Sequence, residues 1–312
     1  MNNITGFPGK YKIGVLAGGD SSEREISLKS GCAVFNAFKS LGFNVVTLDV
    51  NEKNIRSLLD TSGIDVAFIA LHGKFGEDGT AQRILAEKGI PYTGSDPMSS
   101  RLAMDKLESK KMFIEYGLKV PEYVMVSGTE LPRGIDVGFP CVVKPRYEGS
   151  SMGLSVVRSV QYLEEAVLRA SEYGNDVMIE RFIPGKELTV GILEGRALPV
   201  VEIRVPGGIY NYDAKYQSAG TKYIVPAELS GAMREEAQDA GLKAHRALGC
   251  GFFSRVDLRV TDEGDVYVLE VNTVPGLTER SLLPMAAGAA GMDFAGLCVN
   301  MLCGAFPENV RG

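Results

Sequence analysis

Histidine and cysteine are both scarce in this chain. There are two histidines, His72 and His245, and five cysteines in 312 residues. Cys32, Cys141, Cys250, Cys298 and Cys303 are odd in number, far apart and free of any C-x-x-C pair, which argues against a disulfide framework or a zinc knuckle. Most lie in apolar stretches and read as small core residues. Positive charge is also short. Lys and Arg number 33 against 39 Asp and Glu, a net charge of −6. A dedicated nucleic-acid binder needs a basic face, so no nucleic-acid partner is expected, although a local basic pocket for a small anion is compatible. Residues 1–10 lack the apolar run of a signal peptide. The one long weakly charged segment, 282–306, carries a single charge, Asp293, with Pro284 and four glycines. An Asp near a span centre costs roughly 2.5–3.5 kcal/mol on insertion scales. The segment therefore reads as a small-residue helix packed inside the protein, and the expectation is a cytoplasmic protein without a membrane partner. There is no internal repeat, low-complexity tract or long linker.

What is present is ordinary globular composition, 45% apolar and 23% charged, over a length that exceeds one core. Short apolar runs alternate with helical patterns, as in α/β proteins. Residues 12–17 read as a buried strand ending in Gly18-Gly19. Apolar residues then recur at steps of three or four from Leu28 to Leu41 and stop at Gly42, an amphipathic helix. Strands at 44–49 and 65–71 and a helix at 80–88 complete a small parallel sheet with helices on its faces. A second unit begins near Met104, with a helix at 104–116, strands at 123–126, 141–145 and 154–157, a helix at 160–171 and a strand at 176–182. A third unit, from about Leu188, holds several strands and a long helix at 233–248.

The most informative stretch is the pair of period-two runs 254–260 and 266–272. With Glu263-Gly264 as a two-residue loop, Asp257 faces Glu270 and Arg255 faces Asn272, all on one side. Val256, Leu258, Leu269 and Val271 then face a core. Opposed Cβ atoms lie about 4.5–5.5 Å apart, so the two carboxylates repel unless a divalent cation sits between them. Asp, Glu and Asn oxygens suit Mg²⁺ rather than zinc or copper. A solvated face with a tolerated acidic pair is the alternative, and a one-residue slip of register would separate the pair.

Three further elements point to ligand binding. Lys144 to Gly153 holds a Gly-Ser loop whose N–H groups and hydroxyls suit phosphate oxygens, without the Walker A pattern. Lys106 and Lys144 are candidate phosphate partners; a simple flexible turn and solvated lysines are the alternative. His72-Gly-Lys-Phe-Gly-Glu-Asp-Gly79 follows a strand, at the edge where open α/β sheets bind ligands. Gly18-Gly19-Asp-Ser-Ser-Glu23 should open on the same edge, although an acid at a helix start is also favoured by the dipole alone. His245 falls in a helical pattern and reads as structural.

Together these motifs are identifiable. His72-Gly-x-x-Gly-Glu-Asp-Gly79, Met104-Asp-Lys106, Lys144-Pro with Glu148-Gly-Ser-Ser151, Tyr212-Asp-Ala-Lys-Tyr216, Arg255-x-Asp257 and Leu269-Glu-Val-Asn-Thr-x-Pro-Gly276 with Ser281-Leu282 stand in one order. The chain resembles the D-alanine–D-alanine ligase family of the ATP-grasp superfamily from Lys12 to about Leu302. The resemblance implies an α/β chain, α+β in its nucleotide-binding part. It divides into a Rossmann-like domain at 1–103, a central ATP-binding subdomain at 104–187 and a C-terminal ATP-grasp domain at 188–312.

The resemblance also implies roles. ATP, a substrate, would lie between the last two units, its phosphates met by Lys106, Lys144 and Lys215 under a lid of Gly149, Ser150 and Ser151. Glu180 and the backbone near Arg181 and Ile183 would hold adenine, and Glu187 the ribose. Asp257, Glu270 and Asn272 would bind two Mg²⁺ (or Mn²⁺). Glu23, assisted by His72, would hold the first D-alanine, and Ser281, Lys215 and Leu282 the second. Arg255 and the Gly276 N–H would form the oxyanion site, and Ser150 and Tyr216 would link Glu23 to the lid. The implied reaction makes D-alanyl-D-alanine for peptidoglycan through an acyl phosphate, in a homodimer. A ligase forming D-alanyl-D-lactate or another dipeptide, or a nucleotide-binding regulator without turnover, are the alternatives; Tyr216 favours the dipeptide. Three positions depart from the family pattern. Arg181-Phe182 stands where Lys-Trp is common, and Arg259 stands where a less polar residue is expected.

Overall fold

The structure, a computed structural model, describes residues 10–128, 137–206, 220–278 and 281–306. The first strand, β1 (Lys12–Gly18), buries Ile13, Val15, Leu16 and Ala17 in succession, as a central parallel strand with both faces covered must. It pairs in parallel with β2 (Asn44–Val50) on one side and β3 (Val66–Ile69) on the other. Parallel neighbours need crossovers, which α1 (Arg24–Ser40) and α2 (Ile55–Ser62) supply. The loops after β1 and β3 leave from the same edge and carry Glu23 and His72. After β3 come α3 (Thr80–Glu87), α4 (Pro97–Met104) and α5 (Lys106–Glu115).

Two of these helices lie outside the sequence expectation. Ile55 and Leu59 of α2 are buried at a step of four, ending at Gly63 with φ +61°. Helix α4 has the strongest start signal in the chain: Asp96 caps the Ser99 N–H and Pro97 stands at the first helical position. Helix α5 begins two residues later than expected because Asp105 caps the N–H groups of Leu107 and Glu108.

The second sheet is antiparallel, in the order β4-β7-β5-β6. Its strands are β4 (Tyr123–Ser127), β5 (Cys141–Pro145), β6 (Ser155–Val157) and β7 (Asp176–Arg181). Helix α6 (Leu163–Ser171) covers one face, with Leu163, Ala166, Val167 and Ala170 packed on Cys141, Val143, Val177 and Ile179. The opposite face carries Val142, Lys144 and Glu180 into a cleft.

The third sheet runs β11-β10-β8-β12-β13, with β9 (Arg196–Ala197) paired to β8. The strands are β8 (Lys186–Leu193), β10 (Val201–Arg204), β11 (Lys222–Ile224), β12 (Phe253–Val260) and β13 (Val266–Asn272). Helix α7 (Gly231–Ala247) presents Ala237, Ala240 and Ala244 to Val256, Leu258, Val266 and Val268. Each of these valine and leucine side chains contributes roughly 1.5–3 kcal/mol by its burial. The small alanines let the helix lie close to the sheet.

The last described elements are two largely buried helices, α8 (Leu282–Ala289) and α9 (Phe294–Cys303), rather than the single helix expected. They meet at 103°. Gly291 adopts φ +84° at the break, and Asp293, the segment's only charge, caps α9 through the Gly296 N–H at 2.7 Å. Leu283, Leu297, Cys298 and Met301 share one core with Ile13, Val34 and Phe38 of the first sheet and α1. Among the described residues no single helix is long and apolar enough to cross a membrane. All five cysteines are free thiols, three of them buried.

Candidate active site

The β12–β13 hairpin places Asp257 opposite Glu270 and Arg255 opposite Asn272, by a route other than the one expected. The loop has three residues, Asp262 to Gly264, closed by hydrogen bonds between Thr261 and Asp265, with Gly264 at φ +100°. That loop alone would shift the register by one. A bulge between the Leu258–Val268 and Asp257–Glu270 pairs restores it. The bulge also turns Leu269 out of the expected core, so that it lines the cleft beside Glu270.

Asp257 is held from three sides. Thr189 Oγ1, opposite it on β8, donates to Oδ1 at 2.7 Å. Arg255 donates through Nε and Nη2 at 2.9 and 2.8 Å, and Asn272 Nδ2 donates at 3.2 Å. No group of three or more His, Cys, Asp or Glu side chains among the described residues is placed to hold a metal ion. Two carboxylates and an amide oxygen fit magnesium, which takes its remaining ligands from phosphate and water.

Across the cleft, α5 and the second sheet supply cations. Lys106, at the first turn of α5, is buried and donates to the Glu148 carbonyl; burial lowers its pKa. Asp105, besides capping α5, takes both Arg146 Nε and Nη2 at 2.7 Å, which ties the helix start to the strand carrying Lys144. Glu180 lies between Lys144 at 2.6 Å and Lys110 at 3.1 Å. Burial alone would raise its pKa, but the two ammonium groups prevail and hold it down at about 2. Lys110 was not among the expected site residues. Its signal was its place one turn after Lys106, on the same helix face. Lys106, Lys144, Glu180, Glu187, Asp257 and Glu270 line one cleft that opens to solvent. Met152, Leu154, Val156, Phe182, Ile183 and Leu269 form its apolar walls.

The neighbouring site is built on loop ends of the first sheet. Glu23 stands at the cap position of α1 yet makes no cap bond. Its buried carboxylate instead accepts a hydrogen bond from the Ser150 hydroxyl. A Cβ at Gly73, where φ is +69°, would lie 2.6 Å from Glu23 Oε2, so glycine is required for this approach. His72 is buried, with Nε2 3.0 Å from Ser30 Oγ and Nδ1 3.2 Å from the Val274 carbonyl. Burial pushes its pKa down to about 4, so it is a neutral ring. Glu77, quoted in the motif but given no role, accepts the Gly73 N–H at 2.9 Å. Burial, then the Glu23 charge, pushes its pKa up to about 8.

In the loop after Lys144, Ser150 and Ser151 adopt φ +48° and +59°, left-handed values uncommon outside glycine. Such strain is a feature of functional loops. Gly276 abuts Ser281, whose Oγ accepts the Thr278 N–H at 2.9 Å. The Leu282 side chain is in the core, so Leu282 offers a ligand only its N–H at the start of α8. Arg181 lies at the cleft wall. Lys215 and Tyr216 lie outside the described residues.

Comparison with known proteins identifies the family. A family model described as "D-ala D-ala ligase C-terminus" matches residues 112–303, and one described as "D-ala D-ala ligase N-terminus" matches residues 51–95. The D-alanine–D-alanine ligase of Citrifermentans bemidjiense is 47% identical over 94% of this chain and 95% of its own length. The crystal structure of D-alanine–D-alanine ligase from Bacillus anthracis complexed with ATP superposes with a TM-score of 0.84 at 34% identity, over 97% of this chain and 99% of that one. The VanG D-Ala:D-Ser ligase of Enterococcus faecalis gives 0.78 at 29% identity, over 96% and 99%. This ATP-grasp chain belongs to the D-alanine–D-alanine ligase family.

Proposed function

We propose that this protein joins two D-alanine molecules into D-alanyl-D-alanine at the expense of ATP, for peptidoglycan synthesis. The observation that carries the reading is one cleft in which Lys106 and Lys144 face Asp257 and Glu270, next to the loop site that holds Glu23. Cations on one wall and metal-binding acids on the other suit a magnesium-bound triphosphate. Adenine lies on the apolar wall near Glu180, Arg181 and Ile183, and Glu187 takes the ribose. Asp257, Glu270 and Asn272 would hold two Mg²⁺ (or Mn²⁺), which when bound offset the charge of the phosphates. In this reading residues 1–103, 104–187 and 188–312 are the working units, in a cytoplasmic homodimer.

The carboxylate of the first D-alanine attacks the γ-phosphorus and ADP departs, leaving an acyl phosphate. The amine of the second then attacks the carbonyl carbon, and phosphate departs. Positioning and charge stabilisation are the tasks left to the protein. Glu23 receives the first ammonium. His72, being neutral, contributes hydrogen bonding and shape rather than charge. Arg255 and the Gly276 N–H serve the developing oxyanion, donors of a kind worth about 2.7–4 kcal/mol each. The start of α8, with Ser281 and the Leu282 N–H, suits the second carboxylate together with Lys215. Gly149, Ser150 and Ser151, with Tyr216, close the site against water.

Incubation with ATP, Mg²⁺ and D-alanine should release phosphate and yield the dipeptide. Absence of phosphate release with any D-amino acid overturns the proposal. Offering D-lactate or D-serine beside D-alanine tests the acceptor, and a dominant ester at neutral pH overturns the choice of dipeptide.

A further inference from the structure

Arg259 is a buried guanidinium at the nucleotide end of the cleft, where the family pattern leads one to expect a less polar side chain. It lies on β12, two residues beyond Asp257, and pairs across the ladder with Glu187 on β8. Its Nη1 donates to Glu187 Oε2 at 2.8 Å and its Nε to the Ile183 carbonyl at 3.0 Å. Its planar end lies 4.9 Å from the Phe182 ring centre. One side chain thus contacts two parts of the connection between the second and third sheets, the Phe182 ring and the Ile183 backbone, and the Glu187 carboxylate on β8 just beyond it.

We propose that Arg259 is a positioning residue for the nucleotide, fixing Glu187 and the 182–183 segment for the ribose and base of ATP. The inference rests on the reading of Glu187 as the ribose partner. Without the Arg259 ion pair, more of the Glu187 charge would add to the acids that meet the triphosphate. A carboxylate has about four acceptor sites, so one bond from Arg259 is compatible with a bond from a ribose hydroxyl. The ion pair restricts the carboxylate to one orientation before ATP arrives, which removes an ordering cost from binding. Lysine would not reproduce this, because it lacks the planar fork and the stacking face.

The test compares wild type, Arg259→Met, Arg259→Lys and Glu187→Gln in steady-state kinetics with ATP and with 2′,3′-dideoxy-ATP, folding being checked by thermal melting. Loss of one charge-assisted bond corresponds to about tenfold or more in affinity. Arg259→Met should therefore raise the KM for ATP about tenfold, with kcat and the KM for D-alanine within about twofold of wild type. The penalty for removing the ribose hydroxyls should shrink toward that of Glu187→Gln, and Arg259→Lys should recover little. If Glu187→Gln changes the ATP KM and the ribose penalty while both Arg259 variants leave them at wild-type values, the positioning role is wrong. If Glu187→Gln changes neither, the ribose reading fails and the inference falls with it. A merely structural role would lower the melting temperature and leave the ribose penalty unchanged, which also overturns the proposal.

Discussion

The Ser150 hydroxyl donates to the Glu23 carboxylate across 127 residues of sequence, joining the loop after β1 to the loop that follows Lys144. In the proposed reading the bond would connect the amino-acid site to the phosphate lid, and the lid position would then depend on Glu23. Ser150→Ala removes the bond without altering the backbone demand at φ +48°. A bond to a charged group contributes about 1.5–3 kcal/mol, so kcat/KM for D-alanine should fall by about tenfold or more. Gly73→Ala, whose Cβ would press on Glu23 Oε2 from 2.6 Å, should act in the same direction. Unchanged kcat/KM in both variants would show that the link has no part in turnover.

The Asp257–Glu270 pair yields a second prediction. Glu270→Gln keeps the shape of the side chain and removes one of the two charges proposed to face magnesium. Turnover should fall by about 100-fold or more if this carboxylate supports transition-state charge, while circular dichroism and melting stay near wild type. Chelation of divalent ions should abolish activity in the unmodified protein. Near-normal turnover of Glu270→Gln disproves the metal assignment.

A buried charge cluster predicts stability. Lys110 is fully buried and shares Glu180 with Lys144. Breaking a buried pair by removing one partner costs about 3–5 kcal/mol. Lys110→Met should therefore lower the urea unfolding free energy by an amount of that order, partly relieved because Lys144 still reaches Glu180. The Glu180 pKa is depressed below its ordinary value, to about 2. Its stabilising contribution is whole at neutral pH and is lost as pH falls from about 4.5 through 2. A cost below about 1 kcal/mol would mean that Lys110 is dispensable to the cluster.

The scarcity of histidine makes a pH prediction easy to read. His72 and His245 are both buried, and burial lowers each pKa from 6.5 to about 4. His245 bonds to Ser254 Oγ at 2.7 Å through Nδ1. Both rings should stay neutral in NMR titration from pH 8 down to about 5. The unfolded chain takes up protons first, so this contribution to stability is complete above pH 6.5 and declines as pH falls toward 4. A midpoint above pH 6 for either ring would contradict the burial described.

Sequence alone determined much of this protein, because its signals are local. Alternation with period two marks β12 and β13 whatever they pack against, and the apolar runs of β1 and β5 identify buried strands without knowledge of their neighbours. Loop glycines and the order of motifs identify the family. Contacts between distant segments were decided only in three dimensions. The hairpin shows why: a loop one residue longer than expected and a compensating bulge leave Asp257 opposite Glu270, while moving Leu269 from the core into the cleft. The break between α8 and α9 rests on Gly291 and on Asp293, which the sequence marks as a lone charge but not as a helix cap. That Lys110 meets Glu180, that Arg259 meets Glu187 and that Ser150 meets Glu23 follow from how sheets and helices stack. A charged side chain carries no mark in sequence of the distant charge it will neutralise, and burial, which sets how strongly the two interact, exists only once the fold has closed around them.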